Sequence, residues 1–261
     1  MGRHHLLDFR EAERMKRVAI VQARMTSSRL PGKVLRELVG SPLLAHQLRR
    51  LRQCGRVDEI VVATTANPAD DAVVALGERE GARWFRGSET DVLSRYVGAA
   101  REARAELVIR VTGDCPLLDP VVTDLVVEAA ERHAGACDYA SNIIERTYPR
   151  GLDTEALFRD TLERVHRFAR SPAAREHVTG FLREECPEYF RIVSVTDHEN
   201  HADLRWTVDT TEDFAMVRRL YEDLGLAERL LGFREVAAYV RAHPEIAVMN
   251  AHVEQRPYVL R

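Results

Sequence analysis

Arg24, Arg29 and Lys33 stand in a single run, VAIVQARMTSSRLPGK (18–33), and all three could neutralise phosphate. The apolar residues Val18, Ala19, Ile20 and Val21 feed a polar loop of Thr26, Ser27 and Ser28, which Leu30-Pro31-Gly32-Lys33 closes. Backbone amides of a small-residue loop form an anion-binding concavity, and fixed cations beside it neutralise charge that amide dipoles alone cannot. Of the 38 basic residues only Lys16 and Lys33 are lysine. A compact ammonium differs from a planar guanidinium fork, which suggests a point-charge role for Lys33 on phosphate. A surface lysine after a turn is the plainer alternative. Far along the chain, Asp114 follows a strand-like run through a Gly-Asp turn, and Asp209 ends the run Leu204–Asp209. In open α/β sheets ligands bind beyond the carboxyl ends of strands, where a carboxylate is well sited to hold a hard cation. Asp114 reads equally as a turn former, and Asp119 as the cap of the helix that Pro120 opens. A cationic loop with two strand-end carboxylates is the complement that a magnesium-bound nucleoside triphosphate needs, because phosphoryl and nucleotidyl transfer rest on positioning and charge neutralisation.

The elements that must position these groups alternate. Ser41-Pro42 is expected to cap and open a helix through Leu51, and Asp58–Thr64 reads as a buried parallel strand because its apolar residues are β-branched and nearly continuous. A helix then runs from Asn67-Pro68 to Gly81, a short strand covers Arg83–Phe85, Ser88–Asp91 has the layout of a helix N-terminus, and Glu106–Thr112 is a fourth strand. This succession predicts βαβ units. The fold class is therefore α/β, one domain with a mixed, mainly parallel sheet flanked by helices, Rossmann-like. Beyond Gly135 the expectations are a strand at Asp138–Asn142, a loop from Tyr148 through Glu155 into a helix ending at Phe168, and a helix from Ser171-Pro172 carrying Arg175 and His177. Tyr189–Val195 and Leu204–Asp209 read as strands, Thr210 or Thr211 caps the next helix, and the tail from Phe233 has two helical patterns followed by an extended Ile246–Met249.

Composition narrows the partners. A chain of 261 residues with a formal net charge of −3 has no polycationic footprint for nucleic acid, so a small molecule is the expected partner. Cys54, Cys115, Cys137 and Cys186 are widely spaced without a CxxC pair, which indicates neither a zinc knuckle nor a disulfide framework and fits a reducing cytoplasm. No apolar run approaches the roughly 20 residues of a membrane helix, and residues 1–16 are too charged for a signal peptide. They are expected to be a disordered or helical extension before a domain at 17–261, with translation starting at Met1 or Met15. The loop is not a Walker A motif, and no GxGxxG follows the first strand.

The runs QARMTSSRLPGK, FRGSETDVLSRY, RVTGDCPLLDP, PRGLDTEAL, REHVT and LRWTVDTTEDF occur in this order. In them the chain resembles the cytidylyltransferase superfamily whose members activate 3-deoxy-manno-octulosonate and acylneuraminate, and within it the branch named after spore coat polysaccharide biosynthesis protein F. The likeness spans residue 17 to about 225. It implies a nucleotide-diphospho-sugar transferase-like fold, CTP and an acidic sugar as substrates, CMP-acceptor and pyrophosphate as products, a Mg2+ cofactor and a homodimer. Carried over by resemblance, Arg24 and Lys33 match phosphate-binding positions, and Asp114 and Asp209 match the metal pair. Gln22 and Ala23 begin the nucleotide loop, Arg29 assists with the phosphates, and Ser88 and Asp91 lie near base or ribose unless they only cap a helix. Asp153, Glu155, Arg175 and His177 match motifs on the acceptor side. His198 and His201 match no family site and read as loop residues. A nucleotide-sugar-dependent glycosyltransferase and a catalytically silent nucleotide-binding module are the competing readings; the first would be favoured by a DxD motif, which Gly113-Asp114-Cys115 is not.

Overall fold

The computed structural model describes residues 15–255. In chain order its strands are β1 (Arg17–Gln22), β2 (Glu37–Leu38), β3 (Ser41–Pro42), β4 (Glu59–Thr65), β5 (Arg83–Gly87), β6 (Leu107–Thr112), β7 (Tyr139–Ser141), β8 (Glu155–Phe158) and β9 (Ile192–Ser194). Its α-helices are α1 (Leu43–Leu51), α2 (Asp71–Arg79), α3 (Val92–Glu102), α4 (Pro120–Arg132), α5 (Arg159–Phe168), α6 (Pro172–His177), α7 (Thr211–Leu224), α8 (Phe233–Ala242) and α9 (Pro244–Val248). Seven strands form the main sheet in the order β5-β4-β1-β6-β8-β7-β9. The half from β5 to β6 is parallel; β8 runs antiparallel to both β6 and β7, and β9 is parallel to β7. The expected single-domain, mainly parallel α/β fold is what the chain adopts.

Alternation along the central strands sorts the core. Ala19, Val21, Val62, Ile109 and Val111 pack with Leu44 and Leu48 of α1, Leu76 of α2 and Val126 of α4 on one face. Val18, Ile20, Val61, Ala63 and Val108 pack with Leu93, Tyr96 and Val97 of α3 and Leu162 and Val165 of α5 on the other. Burial on both faces is why these strands read as continuous apolar runs. A third cluster gathers Leu30, Leu117, Tyr148, Trp206, Val208, Phe214 and Leu220 with Phe233 and Val236 of α8. It clamps the loop after β1 to the C-terminal third of the chain.

Several expectations are corrected here. Ser41 and Pro42 pair with Glu37 and Leu38 in a two-stranded hairpin, and α1 begins only at Leu43 without a side-chain cap. Glu155 belongs to strand β8 and not to a loop, because Ala156 and Leu157 fill the core between β6 and β7. Leu204–Asp209 joins no sheet; a single bridge links Arg205 to Arg150, and Leu204, Trp206 and Val208 bury their alternate side chains in the third cluster. Its period-2 pattern is met by helices on one side and a loop on the other. Ile246–Val248 is helical, since Pro244 opens α9 and the apolar run is too short for its period to distinguish helix from strand. The extension expected at 1–16 lies outside the described residues except for Met15 and Lys16; the latter donates to Glu106 and to the Ala103 carbonyl.

Candidate active site

A cavity of about 700 Å3 opens beyond the carboxyl ends of β1 and β6. It is lined by Gln22, Ala23, Arg24, Arg29, Lys33, Asp114, Asp153, Glu155, His177 and Asp209, so ten of the residues singled out in the sequence meet on one surface.

The loop after β1 is held rigidly. Gly32 N–H donates to the Met25 carbonyl at 2.9 Å, and Met25 N–H donates to the buried Asp70 carboxylate at 2.7 Å. Gly113 is required where this loop meets the end of β6. Its N–H donates to the Gln22 carbonyl at 2.8 Å, and a Cβ there would lie 2.8 Å from the same oxygen. The turn therefore delivers Asp114 directly opposite the loop.

Lys33 is the hub. Its Nζ donates to Asp114 Oδ2 at 2.8 Å, to Asp209 Oδ1 at 2.9 Å and to the Val208 carbonyl at 2.8 Å. All three ammonium donors are satisfied in a residue only 8% exposed. Burial alone would lower the Lys33 pKa, but the two carboxylates hold it above its ordinary value. Burial likewise works against the Asp114 charge, and it is outweighed by Lys33 and by hydrogen bonds from Thr112 and Cys115, so its pKa falls to about 2. Asp209 Oδ2 forms an ion pair with Arg29 Nη2 at 2.9 Å and accepts from Arg205 Nη2 at 3.0 Å. The sequence reading put Lys33 on phosphate; in the structure its partners are both candidate metal carboxylates.

The two carboxylates converge on one cation, and Asp114 is kept ionised. An oxygen-only donor pair suits a hard divalent ion such as Mg2+, which keeps waters and substrate phosphates as its remaining ligands. Among the described residues no group of three or more His, Cys, Asp or Glu side chains could hold a metal by itself.

Arg24 donates to the Glu89 carbonyl at 3.1 Å, which ties the loop after β1 to the segment after β5. Ser88 and Asp91 are absent from the cavity wall: Ser88 Oγ accepts from Asp91 N–H at 3.0 Å, and Asp91 caps α3 through Ser94 N–H at 2.9 Å. Arg175, also off the wall, pairs with Asp91 and donates to the His166 carbonyl. Asp153 is held bidentately by Arg146 at 2.7 and 3.0 Å. Glu155 lies beneath the cavity, paired with Arg110 and accepting from Tyr139 Oη at 2.6 Å. His177 ends α6 at the wall, and burial lowers its pKa. His198 and His201 lie in the loop before Leu204, beside Asp197 and Glu199.

Sequence reasoning passed over Arg95, Arg110, Arg146, Arg150 and Arg183 on the wall, and Arg205 behind it. Arginine is so frequent in this chain that no single one stood out; only Arg205, four residues before Asp209, had a local signal, and it was read as part of a strand.

The profile of the cytidylyltransferase family matches residues 18–240. The chain is 34% identical over 213 residues to the spore coat polysaccharide biosynthesis protein SpsF of Bacillus subtilis, covering 79% of this chain and 86% of that one. Over 179 residues it is 36% identical to the 3-deoxy-manno-octulosonate cytidylyltransferase of Anaeromyxobacter dehalogenans, which covers 63% of this chain and 72% of that one. Among solved structures, a cytidylyltransferase from Leptospira borgpetersenii superposes with a TM-score of 0.86 at 29% identity over 94% of this chain and all of that one. With a cavity at the end of a mainly parallel sheet and a family match across most of its length, the chain belongs to the cytidylyltransferases and is a nucleotidyltransferase.

Proposed function

We propose that this protein transfers CMP from CTP to an acidic sugar or a related small-molecule acceptor, releasing pyrophosphate, in a Mg2+-dependent step of surface polysaccharide or glycan precursor synthesis. The observation that carries this reading is the meeting of Lys33 and Arg29 with Asp114 and Asp209 at one end of the cavity. The relatives named above support the substrate classes, and the resemblance to them supports a homodimer.

In this reading Asp114 and Asp209 hold Mg2+. When bound, the ion supplies positive charge to the phosphate oxygens and lowers the pKa of a hydroxyl nucleophile. The protein's own groups do the remainder. An acceptor oxygen attacks the α-phosphorus of CTP in line, and the bond to the β,γ-pyrophosphate breaks. Arg24, Arg29 and Lys33 stabilise the charge that accumulates on the departing pyrophosphate. Lys33 has two of its three donors on the carboxylates and the third on the Val208 carbonyl, so it would meet phosphate by giving up part of that set. Asp153 faces the acceptor end with Arg146 beside it, and the Glu155–Arg110 pair lies beneath, a mixed-charge wall suited to hydroxyls and a carboxylate.

The test is pyrophosphate release with CTP, Mg2+ and a panel of acidic sugars, run beside Asp114→Asn and Asp209→Asn. Both variants should lose turnover while near-ultraviolet circular dichroism stays native. A variant that keeps the normal rate removes the metal-pair assignment, and turnover with a nucleotide sugar in place of CTP favours a glycosyltransferase.

A further inference from the structure

Asp209 is gripped by three cations of two kinds. Lys33 and Arg29 line the cavity and face whatever enters it. Arg205 does not; it lies behind Asp209, 8% exposed, and borders a second cavity of about 320 Å3.

The guanidinium of Arg205 is fully engaged. Nε and Nη2 donate to the two oxygens of Asp213 at 2.9 and 3.1 Å, Nη2 also donates to Asp209 Oδ2 at 3.0 Å, and Nη1 donates to Gln255 Oε1 at 2.8 Å. Asp213 is completely buried and accepts from the backbone amides of Asp209 and Thr210 at 2.9 and 3.1 Å. Asn250 Nδ2 closes the lattice by donating to Asp213 Oδ1 and to the Arg205 carbonyl, both at 2.9 Å. A planar fork held bidentately by one carboxylate has no freedom left to rotate, so the place where its Nη2 meets Asp209 is set by Asp213 and Asn250.

We propose that Arg205 is the positioning residue of the active site. A triphosphate competes for Lys33 and Arg29, since both face the incoming anion; Arg205 is the partner of Asp209 that the substrate does not reach. It keeps the Asp209 carboxylate aimed at the cavity while the other two cations turn to phosphate. Asn250, which does not line the cavity, acts on the reaction through it, whereas Gln255 also reaches the cavity wall. This rests on the reading of Asp209 as a metal carboxylate.

The experiment is a Mn2+ titration of the full chain in the presence of CTP, followed by electron paramagnetic resonance, alongside CTP binding measured without metal. Arg205→Lys keeps the charge but not the fork, and its apparent Mn2+ affinity should fall about 10- to 100-fold, as for other outer partners of metal ligands, while metal-free CTP binding stays as in the wild type. Arg29→Ala should instead weaken CTP binding with and without metal. Asn250→Ala keeps the Arg205 side chain but loosens its setting, and it carries the same test should Arg205→Lys not fold, its Mn2+ affinity falling in the same direction. A folded Arg205→Lys protein with wild-type Mn2+ affinity overturns the proposal, as does an equal loss of metal-free CTP binding, which would make Arg205 a nucleotide contact. If the wild type binds CTP but no Mn2+ beside it, Asp209 is not a metal carboxylate and both readings fall; if it binds Mn2+ and the variants bind it equally well, the positioning role alone falls.

Discussion

Lys33 shows how one side chain can serve both stability and chemistry. It sits between two carboxylates that would otherwise face each other in a half-buried cleft, and removing one partner of such a buried set costs about 3–5 kcal/mol. Lys33→Ala is therefore expected to lose turnover and to melt well below the wild type at neutral pH. The pH dependence has a defined sign. The folded pKa of Asp114 is depressed to about 2, so its contribution is present above the ordinary value of about 4 and is lost as pH falls between the two. The folded pKa of Lys33 is raised, so its contribution is full below its ordinary value and is lost as pH rises through the folded one. The gap in melting temperature between wild type and Lys33→Ala should stay level from about pH 5 to 10 and narrow below about pH 4, which calorimetry across that range checks. Arg95 poses the reverse case. It is 1% exposed, and among the described residues its side chain donates once, from Nη1 to the Ser88 carbonyl at 2.9 Å, while its Nε finds no partner. Arg95→Met should leave the free protein as stable as the wild type or more so, because an unpaired buried donor is removed. If Arg95 meets ligand, the CTP-induced thermal shift shrinks in the same variant.

At the scale of elements, the start of α7 carries the site. Thr210 Oγ1 accepts from Asp213 N–H at 3.2 Å while the Asp213 carboxylate accepts from Thr210 N–H, a reciprocal cap that fixes the turn after Asp209. Thr210→Ala should cost about 1 kcal/mol in urea unfolding. The loop after β7 presses on the extended segment before Asp209: Gly151 has φ +108°, and a Cβ there would lie 2.6 Å from Thr207 N. Gly151→Ala is expected to destabilise by about 2–4 kcal/mol, through strain and the forced separation of the two segments. Because Arg205 and Asp209 lie on the displaced segment, turnover should fall even under conditions where the variant remains folded.

For the whole molecule, ligand linkage gives the broadest check. CTP with Mg2+ at a hundredfold excess over Kd is expected to stabilise the folded state by about 2.7 kcal/mol. For a chain of this size that corresponds to a rise in melting temperature of roughly 5–10 °C, seen with CTP and not with UTP, ATP or GTP. Sedimentation equilibrium is expected to give a dimer. Among the described residues no helix is long and apolar enough to cross a membrane.

The sequence by itself determined what depends on near neighbours. Continuous β-branched runs marked the parallel strands, Asp119 and Thr210 announced helix starts, and the cations of the small polar loop after β1 were legible as a group that the structure places on the cavity wall. What only the tertiary structure decided depends on partners far along the chain. Glu155 was legible as an acidic residue but not as a β8 residue beside Arg110, because a short antiparallel strand is defined by the gap it fills. Leu204–Asp209 had the alternation of a strand, yet that pattern records burial of one side and says nothing of which element provides it. The bonds of Lys33 to Asp114 and Asp209 span 81 and 176 residues, and no local propensity encodes them. They arise because the third core cluster holds both carboxylates and the lysine at one cleft, where leaving any of the three charges unpaired would cost more than bringing them together.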